Sequence, residues 1–141
     1  MSIQSEARFV DALWDWGFLE GAFANPHIRL SDVDGTVEVN GRFLYIEAKG
    51  PRTRMPVGQD IYFRRRIDDG RSTVIYVWGQ PGCPEAFQIL GCMQDPEWCD
   101  LDRLFEAVRD WSNWAESQPR PQALPPCWPG RQQLGTRFSR N

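Results

Sequence analysis

The length, composition and charge of this 141-residue chain exclude several classes of protein. A hydrophobic fraction of 41% and seven tryptophans are typical of one folded domain rather than of a disordered chain. No apolar run approaches the roughly 18 residues that a membrane span requires, and residues 1–6 lack the basic and then apolar order of a signal peptide. We therefore expect a soluble, intracellular protein with no membrane partner.

The first third of the chain predicts a helix followed by a β-hairpin. Apolar residues near helical spacing predict an amphipathic helix over residues 5–21. Candidate strands follow over residues 27–39 and 42–48. They are joined by Asn40-Gly41, the strongest short-range hairpin signal in the sequence.

The remainder of the chain predicts two helices, two strands and a tail. The spacing of apolar residues predicts helices over residues 57–69 and 100–116. A run of β-branched and aromatic residues predicts a buried strand over 73–78, and a shorter strand at the edge of the sheet is expected over 85–90. Prolines forbid regular structure after the last helix, and the final residues carry arginine and no acid. We therefore assign residues 1–117 to one domain and residues 118–141 to an extended or disordered tail.

The order of these elements indicates an α/β sandwich with a central mixed sheet flanked by helices. A strand that follows a helix usually returns parallel to the preceding strand by a crossover, so strand 73–78 is expected to lie parallel to strand 42–48. Side chains alternate between the two faces of a strand. Glu47 and Lys49 are therefore expected on the same face of the sheet.

Lysine occurs at a single position in the chain. Of the 16 basic residues, 15 are arginine, and the lone lysine is Lys49, two residues after Glu47. A lysine amine can polarise a water molecule or bind a phosphate as a compact charge, whereas arginine keeps its proton and presents a planar fork. This difference gives a chemical reason for lysine at this position.

Two carboxylates accompany this lysine in the predicted hairpin. Asp34 and Glu47 lie on opposite arms, and side chains on antiparallel neighbours lie roughly 5 Å apart, so both could bind one ion. Magnesium held in this way activates water and neutralises charge on a phosphate. Asp32 has the same strand parity as Asp34, so it is either a second ligand or a solvated loop acid.

The two strands of the hairpin resemble those of a known nuclease superfamily. Residues 27–35 (HIRLSDVDG) and 43–50 (FLYIEAKG) resemble the acidic strand and the E-x-K strand of the PD-(D/E)xK superfamily, most closely small phage-type and VRR-NUC-like nucleases. The resemblance implies a restriction-endonuclease-like α-β-β-β-α-β core in which Asp34 and Glu47 bind Mg²⁺ or Mn²⁺ and Lys49 contributes to catalysis. The proline that the family places before its aspartate is absent, so Asp32 and Asp34 compete for that role.

The resemblance implies further site residues in the flanking helices. Glu6 matches an additional metal-side acid on the first helix, although the helix dipole alone explains an acid in a first turn. Gln59 matches a site glutamine on the helix after the lysine, and an exposed helix residue is the alternative. The arginines in and just before that helix are predicted to contact DNA phosphates, and the alternative is that they form a solvated face. These residues are Arg52, Arg54, Arg64, Arg65 and Arg66.

The function expected from these features is a divalent-metal-dependent DNA endonuclease. Its partner is DNA, a homodimer is compatible with the resemblance, and the expected location is the cytoplasm of a bacterial cell, including as a phage product. A net charge of −3 argues against indiscriminate coating of nucleic acid but not against an acidic metal site. The alternatives are a nuclease-fold binding module without catalysis and a phage-type interaction or inhibitor protein.

The cysteines point to no common metal motif. Cys83, Cys92, Cys99 and Cys127 match none of the paired spacings of common zinc sites. We expect reduced, partly buried thiols. A zinc site completed by His27, the only histidine, is the alternative.

Overall fold

The computed structural model describes residues 16–28 and 30–124. Contacts between backbone positions divide the chain into two compact units, Met1–Asp34 and Gly35–Asn141. The strands and α-helices of the described residues all belong to the second unit. None of the described helices is long and apolar enough to cross a bilayer.

The described part of the first unit contains a single short helix. Residues Trp16–Ala22 form a 3₁₀ helix. The prediction of an α-helix over residues 5–21 is therefore wrong for its described end, and residues 1–15 lie outside the described part of the chain.

The strand predicted over residues 27–39 is much shorter than expected. It begins only at Gly35. The Asn25 side-chain oxygen accepts a hydrogen bond from the His27 N–H at 2.9 Å, and the Asn25 carbonyl accepts one from the Ile28 N–H at 3.1 Å. These local bonds make a turn that competes with extended structure, so the prediction is wrong at the start of this segment.

The second unit is built around a five-stranded sheet in the order β1-β2-β3-β4-β5. Its strands are β1 Gly35–Val39, β2 Arg42–Lys49, β3 Ser72–Gln80, β4 Cys83–Ile89 and β5 Glu97–Trp98, and its helices are α1 Val57–Ile67 and α2 Leu101–Ser117. β2 and β3 are parallel, and the other neighbours are antiparallel. The predicted α/β class, the mixed sheet and the parallel crossover through α1 are confirmed. The α-β-β-β-α-β core implied by the resemblance has three strands before its second helix, whereas the described residues form two strands before α1.

The predicted hairpin is present with the expected turn. Val39 pairs with Arg42, and the two residues between them have positive φ, 53° at Asn40 and 80° at Gly41. This is the geometry of a type I′ turn, for which Asn-Gly is preferred because both central residues are left-handed. The turn fixes the register that sets which residues of β2 face each helix.

β4 is longer than predicted and is not the edge strand. The edge is β5, whose Trp98 pairs with Ala86 and whose Glu97 pairs with Phe87. A strand of two residues shows no periodicity that a sequence pattern could reveal. The prediction of an edge strand over residues 85–90 is therefore wrong in its position in the sheet.

The two helices cover opposite faces of the sheet. On one face α2 contributes Trp111 and Ala115 to a core that also contains Leu44, Ile75, Val77 and Phe87. On the other face Phe63 of α1 packs with Val74, Tyr76, Trp78 and Leu90. Because side chains alternate along each strand, the odd-numbered residues of β2 belong to the α1 layer.

Side-chain hydrogen bonds define where the helices begin and end. Asp100 caps α2 by accepting a hydrogen bond from the Arg103 N–H at 2.8 Å. α1 ends at Ile67, earlier than predicted, because Asp69 accepts hydrogen bonds from the N–H groups of Arg71 and Ser72 and from the Ser72 hydroxyl. Partial burial favours a higher pKa for Asp69, but these bonds outweigh it and lower that pKa.

The described start of the C-terminal tail is extended and is attached to the sheet. The Asn40 amide donates to the carbonyls of Ala115 at 3.0 Å and Gln118 at 2.7 Å. Arg42 donates to the Pro119 carbonyl at 3.1 Å. The hairpin turn therefore holds both the end of α2 and the chain that follows it.

Replacement of Asn40 tests this second role of the turn. We expect Asn40→Ala to lower the free energy of unfolding by about 2–3 kcal/mol. The change removes two partly buried hydrogen bonds, and it places alanine at a positive φ, which asparagine tolerates better. Asn40→Gly removes the same bonds without the backbone strain and should cost about 1 kcal/mol less. Urea unfolding measures both values, and equal stability of the two variants would contradict the strain contribution.

Candidate active site

Glu47 and Lys49 form an ion pair on the α1 face of the sheet. The Lys49 Nζ lies 3.1 Å from the Glu47 Oε1. Glu47 is only 2% exposed, whereas the Lys49 side chain is 21% exposed. The predicted shared face is confirmed, and the pair connects the buried layer to the surface.

The burial of Glu47 requires compensation. A carboxylate removed from water is costly unless an opposite charge or hydrogen bonds replace its hydration. Lys49 supplies that charge from the same strand, two residues away, where strand geometry brings the two side chains together. The pair is thus a local arrangement of β2 that does not depend on the other elements for its contact.

Tyr76 extends this polar group across the strand pair. It lies beside Glu47 in the parallel register of β2 and β3, and it is 1% exposed. Its hydroxyl donates to the Asp60 Oδ1 at 3.0 Å, and the Asp60 Oδ2 accepts from the Arg64 Nε at 2.9 Å. Burial raises the pKa of Tyr76, and the hydrogen bond to Asp60 and the negative charges of Asp60 and Glu47 raise it further. The phenol therefore stays protonated and acts as a donor.

Gln59 belongs to the same part of the α1 layer. Its side-chain oxygen is buried, and within residues 16–28 and 30–124 no group donates a hydrogen bond to it. Gln59 directly precedes Asp60, the acceptor of the Tyr76 hydroxyl. It therefore belongs to the end of α1 that is bonded to β3, and Tyr76 of β3 pairs with Glu47 in the register of the two strands.

The other three predicted acids, Glu6, Asp32 and Asp34, belong to the N-terminal unit. Asp34 is exposed and directly precedes Gly35, the first residue of β1. Asp32 accepts a hydrogen bond from the Trp16 indole at 2.9 Å and thereby has a structural role in its own unit. The expected shared strand parity of Asp32 and Asp34 is wrong, because the strand begins after both. Glu6 lies outside the described residues, and the metal roles of all three acids stay predictions.

The predicted phosphate-binding arginines divide into two groups. Arg52 and Arg54 are exposed in the loop between β2 and α1, and Arg65 is exposed on α1. Arg64 is instead paired with Asp60. Arg66 donates to the Tyr45 hydroxyl and lies over the Tyr45 ring at 5.2 Å. This hydrogen bond raises the pKa of Arg66, although burial acts to lower it. Arg52, Arg54 and Arg65 are the better placed to contact a phosphate, because Arg64 and Arg66 already bind Asp60 and Tyr45.

The loop arginines also border a cleft next to the ion pair. Arg52 and Arg54 line a cleft of about 470 Å³ together with Trp78, the residue that pairs with Lys49 in the register of β2 and β3. The Trp78 indole donates to the Thr53 carbonyl at 2.7 Å, which holds this loop against the sheet. The backbone that carries Arg52 and Arg54 is thereby held against the sheet, beside the strand residue that pairs with Lys49.

Sequence reasoning missed Tyr76 and Asp60. The run 73–78 indicated a buried strand, and nothing in a buried strand distinguishes a tyrosine that packs from one that also donates a hydrogen bond. Two features of the sequence pointed toward this contact. The predicted crossover sets β3 beside β2, and Asp60 directly follows the candidate site residue Gln59. Only the register of the two strands brings these residues together.

The donors near Glu47 suit a hard cation. Within the described ranges, no group of three or more His, Cys, Asp or Glu side chains is arranged to hold a metal ion. Magnesium, however, is commonly bound by one or two carboxylates, with water completing its coordination. The Glu47 carboxylate and the buried amide oxygen of Gln59 are oxygen donors of the required kind.

The described cysteines are free thiols. Cys99 is buried, Cys83 and Cys92 are exposed, and Cys127 lies outside the described residues. Burial raises the pKa of Cys99, with a smaller contribution from the charge of Asp100. Of the described cysteines, only Cys99 shows the expected burial. Within the described residues, none of the thiols belongs to a group of three or more side chains that could hold zinc.

Comparisons of the chain with protein-family models, curated proteins and solved structures find no match. The resemblance of residues 27–35 and 43–50 to PD-(D/E)xK nucleases therefore stays a prediction.

The buried phenol predicts a specific loss of stability at high pH. The pKa of Tyr76 in the folded protein lies above its ordinary value of 10.0, so above pH 10.0 the unfolded chain releases a proton that the folded protein keeps. The free energy of unfolding should therefore fall as the pH rises above that value, by up to about 1.4 kcal/mol per pH unit. Urea unfolding from about pH 9 to about pH 11 measures this slope.

Two variants isolate the contribution of this residue. Tyr76→Phe should remove much of the slope, whereas Tyr62→Phe, which alters a phenol that is 49% exposed, should leave it unchanged. An identical slope in the parent protein and Tyr76→Phe would contradict the assignment.

Proposed function

We propose that this protein is a divalent-metal-dependent nuclease that hydrolyses phosphodiester bonds of DNA, as an endonuclease. The observation that carries the proposal is the ion pair between the buried carboxylate of Glu47 and the only lysine of the chain, Lys49. The pair lies at the end of β2, between the polar residues of α1 and the exposed arginine loop.

A purely structural role explains this pair poorly. A buried ion pair contributes little net stability compared with apolar residues of similar shape, because both charges lose their hydration. The chain uses arginine at every other basic position, and arginine makes stronger two-point contacts with a carboxylate than lysine does. Lysine at this position is therefore better explained by chemistry that needs a compact amine.

The proposed metal ligands are Asp34 and Glu47. Mg²⁺ or Mn²⁺ at this position would activate water and neutralise charge on the phosphate when bound. Asp32 and Glu6 are the candidates for additional ligands.

The remaining groups act on the substrate or hold the site. Lys49 binds an oxygen of the scissile phosphate or polarises the attacking water with its ammonium group. Gln59 accepts a hydrogen bond at its buried amide oxygen and thereby orients water within the site. Tyr76 and Asp60 fix the end of α1 that carries Gln59 against β3.

The exposed arginines supply the affinity for DNA. Arg52, Arg54 and Arg65 lie on the loop and helix that follow Lys49, where they can contact phosphates on both sides of the cleaved bond. Such contacts are compatible with a net charge of −3, because binding depends on the local distribution of charge. The proposal includes a restriction-endonuclease-like core and a location in the bacterial cytoplasm.

Cleavage assays with matched variants test this proposal. Purified protein is incubated with supercoiled, linear and branched DNA in Mg²⁺, in Mn²⁺ and in EDTA. We expect cutting that requires the metal and falls by about 100-fold or more in Glu47→Gln and in Lys49→Arg. Lys49→Arg is the critical variant because it keeps the positive charge beside Glu47 and should keep the unfolding temperature.

The control variant is Glu116→Gln, which alters an exposed carboxylate on α2 and should retain full activity. Full activity of Lys49→Arg would contradict the proposed role of the lysine. Metal-independent binding of DNA without cutting would identify a binding module instead, and indifference to every DNA tested would favour a protein-interaction function.

A further inference from the structure

A large cavity lies between α2 and the face of the sheet opposite to Glu47. Its volume is about 570 Å³, and its lining includes the rings of Phe87, Trp111 and Trp114. The Trp111 indole donates to the Thr73 hydroxyl at 3.1 Å, so the polar atom of this ring is already bonded within the cavity wall. A cavity of this volume with a mainly apolar lining is typical of a site for a small organic ligand.

The charged groups of the cavity lie on its exposed rim and are mostly acidic. Glu97, Glu106 and Asp110 are exposed there, and Arg103 is the one basic residue of the described lining. None of the three carboxylates forms an ion pair with another residue of the ranges 16–28 and 30–124. The rim therefore favours a positively charged group over a neutral or negative one.

The carboxylates of the rim come from two elements. Glu106 and Asp110 are four residues apart on α2, which places both on one side of the helix. Glu97 belongs to β5 and pairs with Phe87 of β4, whose ring lines the cavity. The negative charge therefore belongs to the rim as a whole and not to one face of α2.

Two of the aromatic rings of the cavity already accept cations within the protein. The guanidinium of Arg103 lies 5.8 Å from the centre of the Phe87 ring, and that of Arg42 lies 5.2 Å from the centre of the Trp114 ring. Such contacts are favourable because the face of an aromatic ring is electron-rich. The rings and the rim therefore share one preference, which is for a cation that also carries an apolar group.

We propose that this cavity binds a small organic cation with an apolar group, of the aryl-alkyl ammonium class. Its apolar group lies against Ile75 and Trp111, and its ammonium lies beside Glu106 and Asp110. The concave shape of the site, whose apolar groups come from both the sheet and α2, favours a small ligand over a partner protein. The proposal does not rest on the proposed nuclease function, because Glu47 faces the other side of the sheet.

Three probes with the same apolar part isolate the effect of charge in the full-length protein. They are phenylbutylamine, which is protonated at neutral pH, the neutral phenylbutanol and the anionic phenylbutyrate. Binding is measured as slower alkylation by iodoacetamide of Cys92, which lines the cavity. Cys83 is exposed outside the lining and serves as the internal control. Mass spectrometry of the peptides follows both rates in one sample.

Phenylbutylamine should protect Cys92 at a concentration about tenfold lower than phenylbutanol does, phenylbutyrate should protect least, and the Cys83 rate should stay constant. In the double variant Glu106→Gln and Asp110→Asn, the amine and the alcohol should protect Cys92 at similar concentrations. The matched control Glu116→Gln removes the charge of an exposed α2 carboxylate outside the lining, and it should keep the preference for the amine.

Three results would overturn the proposal. One is a Cys92 rate that phenylbutylamine leaves unchanged, and another is equal protection by the amine and the alcohol in the parent protein. The third is a preference for the amine that survives in the double variant, because the rim carboxylates would then not select the cation.

Discussion

The contact between the buried Glu47 carboxylate and Lys49 constrains the layer between the sheet and α1. A carboxylate in the layer between sheet and helix is stable only if a positive charge reaches it, and the strand itself provides that charge two residues further on. β3 places a protonated phenol beside Glu47, and α1 is bonded to that phenol through Asp60, the residue that follows Gln59. A polar group thus replaces apolar packing at the end of an otherwise hydrophobic layer.

The crossover from β2 through α1 to β3 explains how distant residues form this group. Parallel neighbours align the ends of β2 and β3, and the helix between them runs back over both strands. The hydrogen bond of 3.0 Å from the Tyr76 hydroxyl to Asp60 then connects β3 to α1, and within α1 Arg64 donates to the same carboxylate at 2.9 Å. The opposite face of the same sheet carries a separate cavity with an acidic rim, so the two faces offer chemically different surfaces.

Much of the fold could be predicted from local signals, because those elements depend on short-range chemistry. Asn40-Gly41 specifies a left-handed turn, Asp100 caps a helix, and alternation along β2 puts Glu47 and Lys49 together. Features that depend on distant contacts were not predictable. The two residues of β5 become a strand only because β4 is beside them, and a turn around Asn25 delays the start of β1. The contact of Tyr76 with Asp60 likewise requires the register of the whole sheet.

The proposed binding of a divalent ion by Glu47 beside Lys49 is best tested by anomalous diffraction from crystals of the protein soaked in Mn²⁺. We expect a manganese peak about 2.1 Å from a carboxylate oxygen of Glu47, and we expect this peak to be absent from crystals of Glu47→Gln. Strong manganese binding elsewhere with none at Glu47 would show that the proposal is wrong.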